Sequence, residues 1–113
     1  MSGMKYACLV YLEPAKLRAV PDRECLDCGN AFRQGGVMVG GEALQPTTTA
    51  ATVRVRNGKT TITDGPFAET KEQLAGFYLL EAASLEEATQ MAAKIPPARE
   101  GSIEVRPVRE LEP

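Results

Sequence analysis

Thr52-Val53-Arg54-Val55-Arg56 and Lys59-Thr60-Thr61-Ile62-Thr63 flank the pair Asn57-Gly58, and Asp64-Gly65-Pro66-Phe67 follows directly. Both runs are β-prone and alternate in polarity. Asn-Gly is the favoured pair for a two-residue type I′ turn, whose twist matches that of the strands it joins. That turn sets the register: Val53 lies opposite Ile62 and Val55 opposite Thr60 on one apolar face. Arg54, Arg56, Lys59, Thr61 and Thr63 fall on the other. Carried two residues past Ile62, the alternation puts Asp64 on the apolar face, pointing into the domain at the strand's end. Pro66 fixes its own φ and disfavours helix at Gly65, so the chain leaves the hairpin in one defined direction.

On the N-terminal side, Tyr6 to Leu12 is a continuous apolar run, which predicts a strand buried on both faces. Pro21 fits the first position of a helix, and Asp22 and Glu24 complement the positive end of its dipole. Gly35-Gly36 ends that helix. Cys25, Cys28, Gly29 and Phe32 recur at helical spacing and share one face. Val37 to Ala43 reads as a second strand, in which Gly40-Gly41 marks a bulge or a close approach to the backbone.

On the C-terminal side, Gly76 to Ala82 is a further strand. Ser84-Leu-Glu-Glu87 matches a capping box, and Leu85, Ala88, Met91, Ala92 and Ile95 form the buried stripe of the helix it opens. Pro96-Pro97 stops that helix. Ser102 to Val108 alternates as a final strand, and Pro107 puts it at a sheet edge or ends it there. The order strand, helix, strand, hairpin, strand, helix, strand predicts an α+β fold. It is a ferredoxin-like antiparallel sheet with two helices on one face and an added β-hairpin. The other sheet face then needs a cover, most simply a second copy of the chain.

Composition bounds the function classes. A length of 113 residues fits one domain, residues 1–113, and 43% apolar with 25% charged residues argues against disorder. A net charge of −2 argues against a nucleic-acid surface, which needs clustered cations. No run approaches the ~20 apolar residues that span a bilayer, so no membrane partner is expected. The N-terminus lacks a signal-peptide pattern, and three cysteines do not make a disulfide framework. A cytoplasmic location is the expectation.

The nine residues Asp64-Gly-Pro-Phe-Ala-Glu-Thr-Lys-Glu72, followed by Gly76-Phe-Tyr78, resemble the signature of the DGPF group within the YCII-related domain family. The resemblance continues through Gly40-Gly-Glu42, the Asn57-Gly58 hairpin, the Ser84 helix and the segment from Gly101 to Pro107. It implies a ferredoxin-like protomer that pairs through its sheet into a homodimer, a dimeric α/β barrel. Some relatives carry a proposed His–Asp pair, and a dehydrochlorinase is among them. Others are associated with extracytoplasmic-function sigma factors. This sequence contains no histidine, so a His–Asp mechanism does not carry over and only Asp64 has a counterpart.

Each candidate residue has a bland reading beside the chemical one. A carboxylate at Asp64 that loses hydration becomes a better base near neutral pH, yet an Asp opening an Asp-Gly-Pro turn also serves to accept backbone N–H bonds. Phe67 fills the core or lines a pocket. Lys71 neutralises Asp64, holds an anion, or is simply solvated. Arg54 clamps a carboxylate or bridges to a partner chain. Cys25-Leu-Asp-Cys28 has redox spacing, but both thiols fall on a buried stripe, and a zinc site lacks further ligands. Core packing is the reading for both.

Together these residues describe a homodimer that holds a small organic ligand beside Asp64 and the Gly40-Gly41 strand. Gly41, Glu42, Arg54, Pro66, Phe67 and Lys71 are the contacting residues. Asp64 would be the base for proton transfer or elimination, with neither metal nor cofactor. The alternative is a non-catalytic regulatory or sensing protein linked to a sigma factor.

Overall fold

In the first strand, β1 (Met4–Leu12), the side chains of Tyr6, Cys8, Val10 and Leu12 are buried, while those between them are only half covered. That single alternation organises a computed structural model that describes residues 3–113. The chain continues through a 3-10 turn (Pro14–Ala19), α1 (Asp22–Gln34), β2 (Met38–Ala43), β3 (Ala51–Arg56) and β4 (Lys59–Asp64). It ends with β5 (Gln73–Ala82), α2 (Leu85–Ala92), a second 3-10 turn (Pro96–Arg99) and β6 (Ser102–Pro107). The fold is mixed α+β, with the β-α-β-β-α-β order that the sequence predicts once the hairpin is set aside.

Four strands form one sheet in the order β2-β5-β1-β6, and every neighbouring pair is antiparallel. One face carries the core: Cys8, Val10 and Leu80 pack with Phe32 of α1, Ala92 of α2 and Ile95 beyond it. Residues directly opposite one another project to the same side. The pairs Leu9–Phe77, Ala7–Leu79 and Tyr11–Leu74 therefore define the other face. They form an apolar stripe that no element among the described residues covers, rimmed by Lys5, Glu42, Glu81, Glu104 and Arg106. Burial of β1 on both faces, as its apolar run implies, is thus corrected to burial on one.

Element ends follow local chemistry. Pro21 is the N-cap of α1 rather than its first residue, with extended φ and ψ of −61 and 143. Ser84 caps α2 by accepting from the Glu87 N–H at 3.1 Å, while the Glu87 carboxylate reaches back to the Ala83 N–H. That helix closes at Ala92, before the prolines. Ile95 is buried all the same, whereas Leu85 is half exposed. β5 starts at Gln73, three residues earlier than its apolar run suggests, because Gln73 pairs with Leu12.

The hairpin forms as its turn chemistry dictates. Val53 pairs with Ile62 and Val55 with Thr60, and Asn57 and Gly58 both have positive φ, as a type I′ turn requires. It is, however, a separate two-stranded sheet, and β4 is exposed along its whole length. Val53, Val55 and Ile62 are 60%, 57% and 68% exposed. The expectation that this apolar face and Asp64 turn into the domain is therefore corrected. The hairpin stands off the body as an arm. A radius of gyration of 15.8 Å, against about 13 Å for a compact chain near this length, agrees with that.

Candidate functional site

α1 contacts the sheet through Gly29 and Phe32, both buried. Phe32 meets Tyr78 of β5 edge-to-face with ring centroids 5.9 Å apart, a favoured aromatic geometry. The start of the helix is tied elsewhere: Arg99 donates two hydrogen bonds to the Glu24 carboxylate, at 2.8 and 2.9 Å. This bidentate pair holds the Glu24 carboxyl below its ordinary range, chiefly through those bonds. Pinned at two points, α1 leaves a cleft between itself, the first 3-10 turn and the β2–β5 edge of the sheet. Its volume is about 640 Å³.

The cleft is mostly apolar, with Val10, Leu12, Leu17, Val20, Leu26 and Met38 among its walls. Polar side chains enter at a few points: Asp22, Cys25 and Arg33 from α1, and Tyr78 from the floor. The Tyr78 hydroxyl donates to the Cys25 carbonyl at 3.3 Å. Burial raises the Tyr78 phenol well above its ordinary range, with the neighbouring Cys28 and Cys25 thiols adding to the shift. Burial also raises the Cys25 thiol, helped by Asp22 and Glu24, and raises Cys28, whose Sγ donates to the Lys94 carbonyl at 3.6 Å. These groups are neutral donors near pH 7, not nucleophiles.

The residues marked in the sequence divide between three places. Gly41 and Glu42 line the cleft. A Cβ on Gly41 would lie 2.7 Å from the Phe77 carbonyl oxygen, so this glycine permits close pairing of β2 with β5. Arg54 sits on the arm, half exposed. Asp64, Pro66, Phe67 and Lys71 lie outside the cleft lining. Asp64 ends β4 opposite Ala51 and is exposed. Phe67 is 79% exposed, which corrects its assignment to the core, and Lys71 pairs with Glu13 at 3.5 Å rather than with Asp64.

The Asp64–Phe67 segment instead anchors the arm. The Gly65 N–H donates to the Ala50 carbonyl at 2.7 Å, and the Gly65 carbonyl accepts from the Thr52 hydroxyl at 2.8 Å. Gly65 has φ of +98, a conformation that a side chain would strain. Two bonds, a glycine conformation and Pro66 thus fix the direction in which the hairpin leaves.

Sequence reasoning passed over Asp22, Arg33 and Tyr78 as site residues and read Cys25 as packing. One signal pointed to this wall: Gly29, a glycine in the middle of a helix, where it costs about 1 kcal/mol relative to alanine.

Thiol labelling checks these environments. Iodoacetamide at pH 8 should modify Cys25 and Cys28 more slowly than free cysteine, and Cys8 only on unfolding, as read by mass spectrometry. Burial holds the Cys8 thiol at about 11. Because its pKa is raised from 9.0, the stability linked to it is complete below pH 9 and is lost as the pH rises toward 11. Fast labelling of Cys8 in the folded protein would contradict this.

Fold and cleft together define an α+β protein with a small-molecule-sized cavity beside an open sheet face. Among the described residues no helix is long and apolar enough to cross a membrane, and no three metal-ligating side chains gather. The chain belongs to the YCII-related domain family, whose model matches residues 4–112. It is also 54% identical over 72 residues to a curated protein of Rhizobium meliloti (strain 1021) that is itself described only as uncharacterized. The match covers 62% of this chain and 58% of that relative, so the chain spans little more than half of its length.

Proposed function

We propose that the protein is a homodimer that binds one small, largely apolar organic molecule in the cleft of each protomer. The observation that carries this reading is the cleft itself. Its volume of about 640 Å³ falls within the roughly 300–1,000 Å³ typical of ligand sites, and apolar walls with a few convergent polar groups are their usual chemistry. Tyr78, Cys25 and Arg33 supply orientation, Arg33 being the one cation on the lining among the described residues. An anionic group on the ligand would meet it. Pairing through the uncovered sheet face would bring two such protomers into a ferredoxin-like dimeric α/β barrel.

Binding is favoured over turnover at Asp64, because that carboxylate is exposed and stands apart from the cleft of its own protomer. Gly29 provides the test. A Cβ there would sit 3.6 Å from Arg33 Nη1 and 4.0 Å from Tyr78 Cε2, which is ordinary contact. Gly29→Ala should therefore stabilise α1 by about 1 kcal/mol, and Gly29→Leu should fill the cleft. With 2-naphthoate as probe, NMR shift changes should centre on Gly29, Gly41 and Tyr78 and disappear in Gly29→Leu. Asp64→Asn should leave probe affinity unchanged. Shift changes confined to residues 64–67 would move the site to the base of the arm.

A further inference from the structure

Cys25-Leu26-Asp27-Cys28 puts two free thiols three residues apart on α1, and both are only half buried, unlike Cys8 in the core. Residues at that spacing are neighbours on a helix, about 5–6 Å apart between Cβ atoms. Cys25 reaches the lining of the cleft, while the Cys28 Sγ donates to the Lys94 carbonyl at 3.6 Å. Tyr78 ties the two together. Its hydroxyl donates to the Cys25 carbonyl at 3.3 Å and lies within hydrogen-bonding reach of the Cys28 sulfur, where it favours the thiolate. Burial raises all three groups, and the Cys28 and Cys25 thiols both add to the rise at Tyr78. Two thiols and a phenol thus form one cluster with a way in from solvent along the cleft.

We infer that this cluster is a site for one copper(I) ion, held between the Cys25 and Cys28 sulfurs with the Tyr78 hydroxyl donating to the Cys28 sulfur. Coordination number decides the ion. Among the described residues no third His, Cys, Asp or Glu joins the pair, whereas structural zinc and iron–sulfur clusters take four ligands. Copper(I) is the soft ion that thiolates select, and its filled d shell accepts two ligands in a near-linear arrangement. A disulfide fits less well. It needs Cβ atoms about 3.5–4.5 Å apart, so closing one would distort the first turns of α1, while an ion between the sulfurs takes up the extra distance. Binding balances as two thiols plus Cu⁺ giving a bis-thiolate complex of charge −1, with two protons released to solvent and no electron transferred. Arg99 near Cys25 and Lys94 near Cys28 favour the thiolates and offset that charge, against the opposing Asp22 and Glu24 beside Cys25. The hydrogen bond from Tyr78 orients a ligand from outside the coordination shell, as metal sites commonly require.

The copper site stands whether or not the cleft holds an organic molecule or the chain dimerises. Its test is an anaerobic titration of the native chain with copper(I) against the chromogenic chelator bicinchoninate, with far-UV circular dichroism as the fold control. The native chain should take one ion per chain, release two protons for each, and show ultraviolet thiolate-to-copper charge transfer. Cys25→Ser and Cys28→Ser should each abolish that uptake, while Cys8→Ala should keep it. Tyr78→Phe should still take one ion but hold it about tenfold or more weakly, the usual loss when a group orienting a metal ligand is removed. A native chain that draws no copper(I) from the chelator overturns the site, and so does an affinity that either serine variant leaves unchanged. One ion per two chains also overturns it, by placing the metal between copies. Unchanged affinity in Tyr78→Phe strikes Tyr78 from the site. If a serine variant loses its native circular dichroism, Cys25→Ala or Cys28→Ala repeats the measurement, and full uptake there overturns the site equally.

Discussion

Leu80→Ala should cost about 2–5 kcal/mol of stability, the range for removing a leucine from a tight core. Leu80 is fully buried in β5, an inner strand flanked by β2 and β1, where it lies opposite Met38 and Tyr6. The sheet backbone holds both neighbours in place, so the vacated space cannot close well and the cavity contribution is fully felt. Set against the roughly 5–15 kcal/mol that holds a domain folded, that is a large share of the total. Urea titration should show the midpoint falling with the slope unchanged. Leu111→Ala, at a side chain 75% exposed, is the control and should stay within about 0.5 kcal/mol. Equal effects at the two positions would mean that the β5–helix layer is not the core.

What the sequence revealed and what it hid divide along a physical line. Hairpin register, the Ser84 cap and the edge position of β6 are set by residues within a few positions of one another, and each was legible. The inward direction of Asp64 was not. Alternation states which residues share a face, but not which face meets the core. For the arm that second question is decided by its standing off the body, and the apolar side is the one left in solvent. The same limit explains Phe67, whose hydrophobicity predicts burial only where a neighbour exists to bury it.

The cleft was hidden for a related reason. Its walls come from α1, the first 3-10 turn, β2 and β5, which are distant in sequence, and no short motif spans them. Gly41 and Glu42 reached it through the reading of the Gly40-Gly41 strand as a place of close approach. Tyr78 looks like any core aromatic until its hydroxyl is found bonded to the Cys25 carbonyl. The Asp64–Phe67 segment drew attention by its chemistry, yet its bonds are those of a brace. A short distinctive motif locates a structural constraint more securely than it identifies a reacting group.

Leu9→Asp should convert the proposed dimer to monomer, raising Kd by about a hundredfold or more, because a carboxylate left unpaired in an apolar interface costs several kcal/mol. Leu9 lies on β1, opposite Phe77 on one side and Glu104 on the other, in the middle of the uncovered face. In the separated protomer that position is only half covered, so the new carboxylate stays hydrated there. The monomer should keep its thermal transition to within about the 1 kcal/mol span of β-propensity. The penalty falls on association, which distinguishes this substitution from Leu80→Ala on the same sheet. Charge also gives the sign of a pH test: a variant weakened by an ionised carboxylate should regain dimer as the pH falls toward the ordinary aspartate value of about 3.9. Leu9→Asn, polar but uncharged, should dimerise more weakly than the native chain and show no such recovery. If Leu9→Asp dimerises as the native chain does at pH 7, the uncovered sheet face is not the interface, and the barrel reading fails.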